Sequence, residues 1–338
     1  MSVPVIAFFN NKGGVGKTAL VYHLAWMYAD LGSRLLAVDL DPQANLSRAF
    51  LHEDRLGELW PESGDRATAF GSTQPLLRGT GDVADTHLEE IDSGLALLVG
   101  DLLLSGLEGE FSVQWAASEH GDERALHVTS AFWRIVHRAA RAHRAELVLV
   151  DLAPNLGAIN RAALIACDCL VVPLLPDLFS VHGLRNVGVQ LGRWRREWKQ
   201  RLDRSPRPDF DLPTGEMRPL GYVVLQQPVR LDRPLAAHGE WMARIPGAYR
   251  SGVLNDNSRG PKSVAEDPHC LAVLSHYQSL MSMAQQARKP MFHLAAADGA
   301  IGSHLEAAQR CRTDFHVLAG RISLRATAPP AQSPDPLP

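Results

Sequence analysis

Apolar residues arrive along this chain in two rhythms. Residues 3–9 form an unbroken apolar run with β-branched and aromatic members, ending at an Asn-Asn-Lys-Gly-Gly turn. Such a run, too short for a helix, predicts a strand buried on both faces of a parallel sheet. Residues 17–31 then place Leu20, Leu24, Met27 and Leu31 at helical spacing, and Gly32 stops the helix. Residues 34–38 are a second buried run closed by Asp39. Strand, helix and strand in so short a stretch make a βαβ unit. The alternation resumes with strands at 95–99, 147–150, 169–173 and 220–225. Helices are predicted at 123–145, 160–166 and 183–201, and later over 271–287 and 304–322.

Residues 52–92 break the rhythm. Scattered prolines and glycines with little periodicity predict a long surface insertion carrying short helices. The closing segment, 324–338, has five prolines beyond Thr327 and reads as a disordered tail. The organisation expected is one doubly wound α/β domain over 1–323, with a mostly parallel sheet and helices on both faces.

Composition narrows the function. Hydrophobic residues make up 46% of the chain and the formal net charge is −3, so nucleic-acid affinity needs a local basic patch. Four cysteines make no disulfide framework and suit a reducing compartment. The first residues lack a signal-peptide pattern, and no apolar run reaches the roughly 18 residues of a membrane span, so no membrane partner is expected. Cys167 and Cys169 have no second cysteine pair to complete a zinc site and are read as core packing.

The most informative segment is Lys12-Gly13-Gly14-Val15-Gly16-Lys17-Thr18, lying between the first strand and the first helix. Glycines there let successive backbone N–H groups face phosphate oxygens, and the helix N-terminus adds a favourable dipole. In such a loop Lys17 reaches the β- and γ-phosphates and the Thr18 hydroxyl ligates Mg²⁺. Asp151 closes the apolar run 147–150, the place of a Walker B acid that holds the metal through water. Asp39 and Asp41 stand in Val-Asp-Leu-Asp-Pro-Gln-Ala-Asn at the end of a neighbouring strand, where ligands of open α/β sheets gather.

The loop has Asn11 where a standard P-loop begins with glycine, and Lys12 is extra. This form resembles the ParA/MinD family of deviant Walker A ATPases, and ParA-like partition ATPases most of all. The resemblance implies that Lys12 reaches across a dimer to the partner's ATP phosphates. It implies that Asp41 positions the hydrolytic water, while Asp39 supports the loop or the magnesium shell. It also implies that the backbone near Pro176 and Asp177 helps frame the adenine. Two positions depart from the family: Ala19 replaces a hydroxyl residue that bonds the α-phosphate, and Ala153 replaces the first proline after Asp151. The likeness spans most of residues 3–323, with 52–92 and 228–268 matching poorly.

Arg193, Arg195, Arg196, Lys199 and Arg201 crowd one helix around Trp194 and Trp198. They are candidate contacts to DNA phosphates, and a solvated basic face is the competing reading. The family implies Mg-ATP binding, an ATP-bound homodimer, slow hydrolysis stimulated by a partner protein, and DNA partition or cargo positioning. Its setting would be the cytoplasm, at the nucleoid surface. A nucleotide-binding scaffold and a MinD-like membrane-positioning ATPase are the alternatives. The second is disfavoured by a Pro-rich end in place of an amphipathic helix.

Overall fold

The computed structural model describes residues 3–205, 210–226, 235–258, 260–275 and 277–328. Eight strands form one sheet: β1 (Val5–Phe8), β2 (Leu35–Asp39), β3 (Glu89–Asp92), β4 (Leu95–Leu98), β5 (Leu147–Asp151), β6 (Cys169–Leu174), β7 (Arg218–Leu225) and β8 (Cys270–Leu274). Their order is β3-β4-β2-β5-β1-β6-β7-β8, and all pairs are parallel except the edge pair β3–β4. The central strands are buried throughout, as unbroken apolar runs require when helices cover both faces.

Alternation along β1 divides the core. Ile6 and Phe8 face α1 (Lys17–Asp30), while Val5 and Ala7 join the cluster on the opposite face. The α1 face also carries α2 (Asn45–Phe50), α3 (Glu53–Leu59), α11 (Gln278–Ala287) and α12 (Ser303–Thr327). The other carries α4 (Ala69–Arg78), α5 (Glu108–Ala117), α6 (Glu123–Thr129), α7 (Ala131–His143), α8 (Ala158–Ile165), α9 (Leu178–Arg204) and α10 (Leu235–Gly252). The doubly wound, mostly parallel fold read from the pattern is thus present.

Particular elements differ from the pattern. Residues 271–287 are not one helix: Cys270–Leu274 is the edge strand β8, and α11 starts only at Gln278. The run Cys-Leu-Ala-Val-Leu pairs in parallel with β7, an interaction no local period encodes. The helix over 123–145 is divided at Ser130, whose hydroxyl donates to the Leu126 carbonyl at 2.7 Å and accepts from Arg134 at 2.7 Å. Residues 324–327 are the last turn of α12, not tail, because Arg325 donates to the Leu220 carbonyl at 2.6 Å. Residues 329–338 lie outside the described residues. Within 52–92, short helices do form, yet Leu56, Leu59, Ala69, Leu76 and Val83 are buried, so this segment packs into both core clusters rather than riding on the surface.

Candidate nucleotide site

β1 sits where the winding reverses, with β5 and β2 on one side and β6 and β7 on the other. Crevices at such a point, beyond the strand C-termini, are where open α/β sheets bind ligands. Three of those termini converge here. Asp39, Asp151 and Phe8 lie side by side in the β2–β5–β1 register, and the glycine loop follows directly.

Gly14 and Gly16 have φ of 71° and 76°, a region L side chains rarely adopt. Gly16 caps α1 at a left-handed φ, and a Cβ there would come 2.9 Å from Leu225 Cδ1, whose side chain would have to shift. The loop and the first residues of α1 together line one crevice, the arrangement by which a helix N-terminus receives an anion. Lys17 is buried at its edge; desolvation lowers its pKa while Asp151 and Asp41 act in the opposite sense.

The carboxylates have distinct surroundings. Asp151 is fully buried, and its Oδ2 accepts from the Thr18 hydroxyl at 2.6 Å. Its Oδ1 has no hydrogen-bond partner. Burial, and then the charge of Asp39, push the Asp151 pKa upward. A buried oxygen beside an alcohol, with its charge disfavoured and its lone pairs unused, is a place a divalent cation and its waters would fit.

Asp39 is different. Its Oδ2 accepts from the Ser47 amide and hydroxyl, each at 2.8 Å, and its Oδ1 from the Asp41 amide at 3.2 Å. The Ser47 hydroxyl in turn accepts from the Gly100 amide at 2.8 Å, and a Cβ on Gly100 would meet Asp39 Cγ at 2.8 Å. With its oxygens accepting from the 39–47 turn, Asp39 braces that turn, the loop-supporting half of its expected role. Burial raises its pKa, and the Ser47 donors oppose that rise. Asp41 is held by the turn so created, accepting from the Gln43 amide at 2.9 Å, and lines the same cavity as Lys17 and Thr18.

Two further residues shape the loop after Asp151. Asn160 donates to the Ala153 and Asn155 carbonyls, both at 2.7 Å. Glu108 accepts from the Ala158 and Ile159 amides, placing a carboxylate on the α8 N-terminus. Neither stands out in the sequence, because both act on residues brought together only by the fold. The sole signal was the place of Asn160 at the start of a helix beside the Walker B acid.

Lys12 turns towards α9. Its ammonium pairs with the Asp177 carboxylate, lies 3.5 Å from the Ser180 hydroxyl, and sits 5.8 Å from the Phe179 ring centre. Asp177 also caps α9 by accepting from the Ser180 amide at 2.8 Å. The helix therefore starts at Leu178, several residues before Gly183, the first residue its apolar spacing identifies. Pro176 and Asp177 do not line the apolar lobe that opens beside the loop; Leu175 does. That lobe, about 310 Å³, is walled by Leu175, Leu225, Leu274, Tyr277, Met281 and Phe315, while Ala19 and His23 form its floor.

The basic helix is partly used internally. Arg201 is buried, donates to the Ser118 hydroxyl and the Trp115 carbonyl at 2.8 and 3.0 Å, and stacks 4.0 Å from the Trp115 ring centre. Arg195 donates to the Glu216 and Met217 carbonyls. Both side chains are thus engaged within the fold, Arg201 buried and Arg195 half-buried. Arg193, Arg196 and Lys199 are exposed, with Arg193 paired to Glu197 at 2.6 Å, and Trp194 and Trp198 are buried as their spacing predicts. Arg207, which follows in the same basic run of sequence, lies outside the described residues.

A glycine cradle with a buried lysine, a threonine hydroxyl on a strand-end aspartate, and a second aspartate turn beside it define a P-loop nucleotide-binding protein. A family model for the AAA domain matches residues 3–204. The chromosome partitioning protein ParA of Caulobacter vibrioides is 30% identical over 199 residues, 59% of this chain and 66% of that protein. The chain thus spans just under two thirds of that relative. Among solved structures, protein DIP2308 of Corynebacterium diphtheriae aligns over 96% of this chain and 99% of its own, with TM-score 0.67 and 23% identity. An ATP complex of Cyanothece McdA aligns over 96% and 98%, with TM-score 0.60 and 13% identity, a likeness of fold. The chain belongs to the ParA/MinD-type family of P-loop ATPases.

Proposed function

We propose that this protein binds Mg-ATP on the 12–18 loop, dimerises around it, hydrolyses it slowly and uses that cycle to partition DNA or position a cargo. The observation that carries the reading is the unpartnered Asp151 Oδ1 beside the Thr18 hydroxyl, below a glycine cradle and a desolvated Lys17. Related folds support the ligand, since a Cyanothece McdA structure is an ATP complex. Mg²⁺ would supply divalent charge next to the phosphates, with Thr18 as direct ligand and Asp151 holding its water shell.

The residues divide the work. Amides of residues 13–18 bind phosphate oxygens, and Lys17, poorly solvated when alone, recovers its charge stabilisation on an incoming anion. Asp41 orients a water and accepts its proton, with Asp39 and Ser47 fixing the turn that aims it. Lys12 exchanges Asp177 for a partner's phosphates when two copies meet, making Asp177 the holding partner of the unpaired state. The apolar lobe accepts the base. Arg193, Arg196 and Lys199 give the DNA surface, a smaller patch than the sequence suggests. A cytoplasmic, nucleoid-associated setting and a hydrolysis-stimulating partner protein complete the reading.

ATP turnover by wild type and Asp41→Ala tests it. Slow wild-type turnover that falls at least tenfold in the variant, with Mg-ATP affinity kept, is the expected result. Equal turnover in both would remove Asp41 from the mechanism and favour a nucleotide-binding scaffold.

A further inference from the structure

A second lobe opens from the same loop. It has a volume of about 740 Å³ and runs from Lys17 and Asp41, across Tyr22 of α1, to α2 and the end of α11. It is lined by more charged side chains than the apolar lobe. Its lining carries Arg48, Arg288 and Lys289 among the amides of Gln43, Asn45 and Gln285, with Asp41 and Glu53 as its acids.

The cations there are not equally committed. Lys289 is neutralised by Asp298, at 2.8 and 3.0 Å from its two oxygens. Arg288 has φ of 50° at the C-cap of α11, and its Nη1 donates to the Leu51 carbonyl at 2.6 Å. Among the described residues, no carboxylate pairs with Arg288 or with the exposed Arg48. Two arginines without a carboxylate partner therefore line one cavity that is continuous with the phosphate loop. Guanidinium forks match phosphoryl oxygens in geometry and charge.

A nucleotide whose phosphates lie on the loop has one base, and the apolar lobe suits it. The cationic lobe is then left for something else. We propose that it is a second phosphoryl-binding subsite, with Arg48 and Arg288 as its ligands, occupied while nucleotide sits on the loop. This rests on the nucleotide reading above. The phosphoryl group has two chemical sources: a free anion such as pyrophosphate, or an additional phosphate on the ribose of the bound nucleotide.

Calorimetric titration of the full chain separates them. In one arm pyrophosphate is titrated into protein saturated with Mg-ATP. In the other, adenosine 3′,5′-bisphosphate is compared with AMP. Saturable pyrophosphate binding assigns a free anion, and at least fivefold tighter binding of the bisphosphate assigns a ribose phosphate. In either case Arg48→Gln and Arg288→Lys should each cut the effect at least fivefold while Mg-ATP affinity stays within twofold. Arg48 is exposed, so its variant keeps the fold even if Arg288→Lys loosens the Leu51 contact. No response in either arm, or a response indifferent to both substitutions, overturns the subsite and leaves the nucleotide reading intact. Failure of wild type to bind Mg-ATP would instead strike that reading.

Discussion

Each residue of the phosphate loop carries a separable expectation. Gly16→Ala forces a Cβ into the left-handed region and against Leu225, at a cost of about 1–2 kcal/mol in stability together with loss of nucleotide affinity. Thermal unfolding and nucleotide titration of the variant check both. His23 gives a pH dependence. Its Nδ1 lies 2.7 Å from the Ala19 carbonyl and its Nε2 accepts from the Met291 amide at 3.1 Å, which requires the neutral ring. Burial lowers its pKa from 6.5 to about 4, with the Ala19 carbonyl opposing the shift. Because the unfolded chain binds the proton more readily, this contribution is complete above pH 6.5 and is lost as pH falls from 6.5 towards 4. It amounts to at most about 3 kcal/mol. Denaturant midpoints across pH 4–7 should fall less steeply in His23→Gln than in wild type; parallel curves would exclude this histidine. Lys12, Lys17, Thr18, Asp41 and Asp151 were legible from the chain because their motif is contiguous or ends a strand. Ser47, Gly100, Glu108 and Asn160 were not, since their partners are distant in sequence. The bracing of Asp39 was hidden for a related reason: the Ser47 donors that hold it come from the following helix.

At the scale of elements, apolar period located most of the sheet because the strands of a covered parallel sheet are short and wholly apolar. It failed where tertiary pairing decides. β8 looks helical in isolation and becomes a strand only beside β7, and α9 begins where Asp177 caps it. The α5–α8–α9 contact illustrates a joint that the sequence hid. Trp115 stacks on Trp198 at 6.0 Å and receives Arg161 and Arg201 on its ring at 4.2 and 4.0 Å. Arg161 lies one turn from the loop that follows Asp151, so this joint ties that loop to the long basic helix. Trp115→Ala removes a buried aromatic and should destabilise the fold by about 3–5 kcal/mol, read as a shift in chemical denaturation midpoint. A change under about 1 kcal/mol would mean that the ring is dispensable there.

For the whole molecule, the proposed cycle predicts a change in assembly. Wild type should shift from monomer to dimer in size-exclusion chromatography with Mg-ATP and stay monomeric with ADP, while Lys12→Ala stays monomeric in both. Asp177→Asn, which frees Lys12 from its carboxylate, should dimerise at lower ATP concentration than wild type. Its failure to do so would give Asp177 the helix-capping role alone. No helix among the described residues is long and apolar enough to cross a membrane. The proposed DNA contacts are the exposed Arg193, Arg196 and Lys199, and replacing all three with alanine should weaken binding to non-specific duplex and flatten its salt dependence. Unchanged affinity would leave those residues as a solvated face.

The proposed cycle depends throughout on a grip of the glycine loop on a nucleotide and its metal. Calorimetric titration of Mg-ATP into wild type and Lys17→Ala tests it most directly. Saturable one-to-one binding that weakens at least a hundredfold in the variant and depends on added magnesium is the predicted result. Absence of binding by the folded wild type, or equal binding by the variant, would contradict the account.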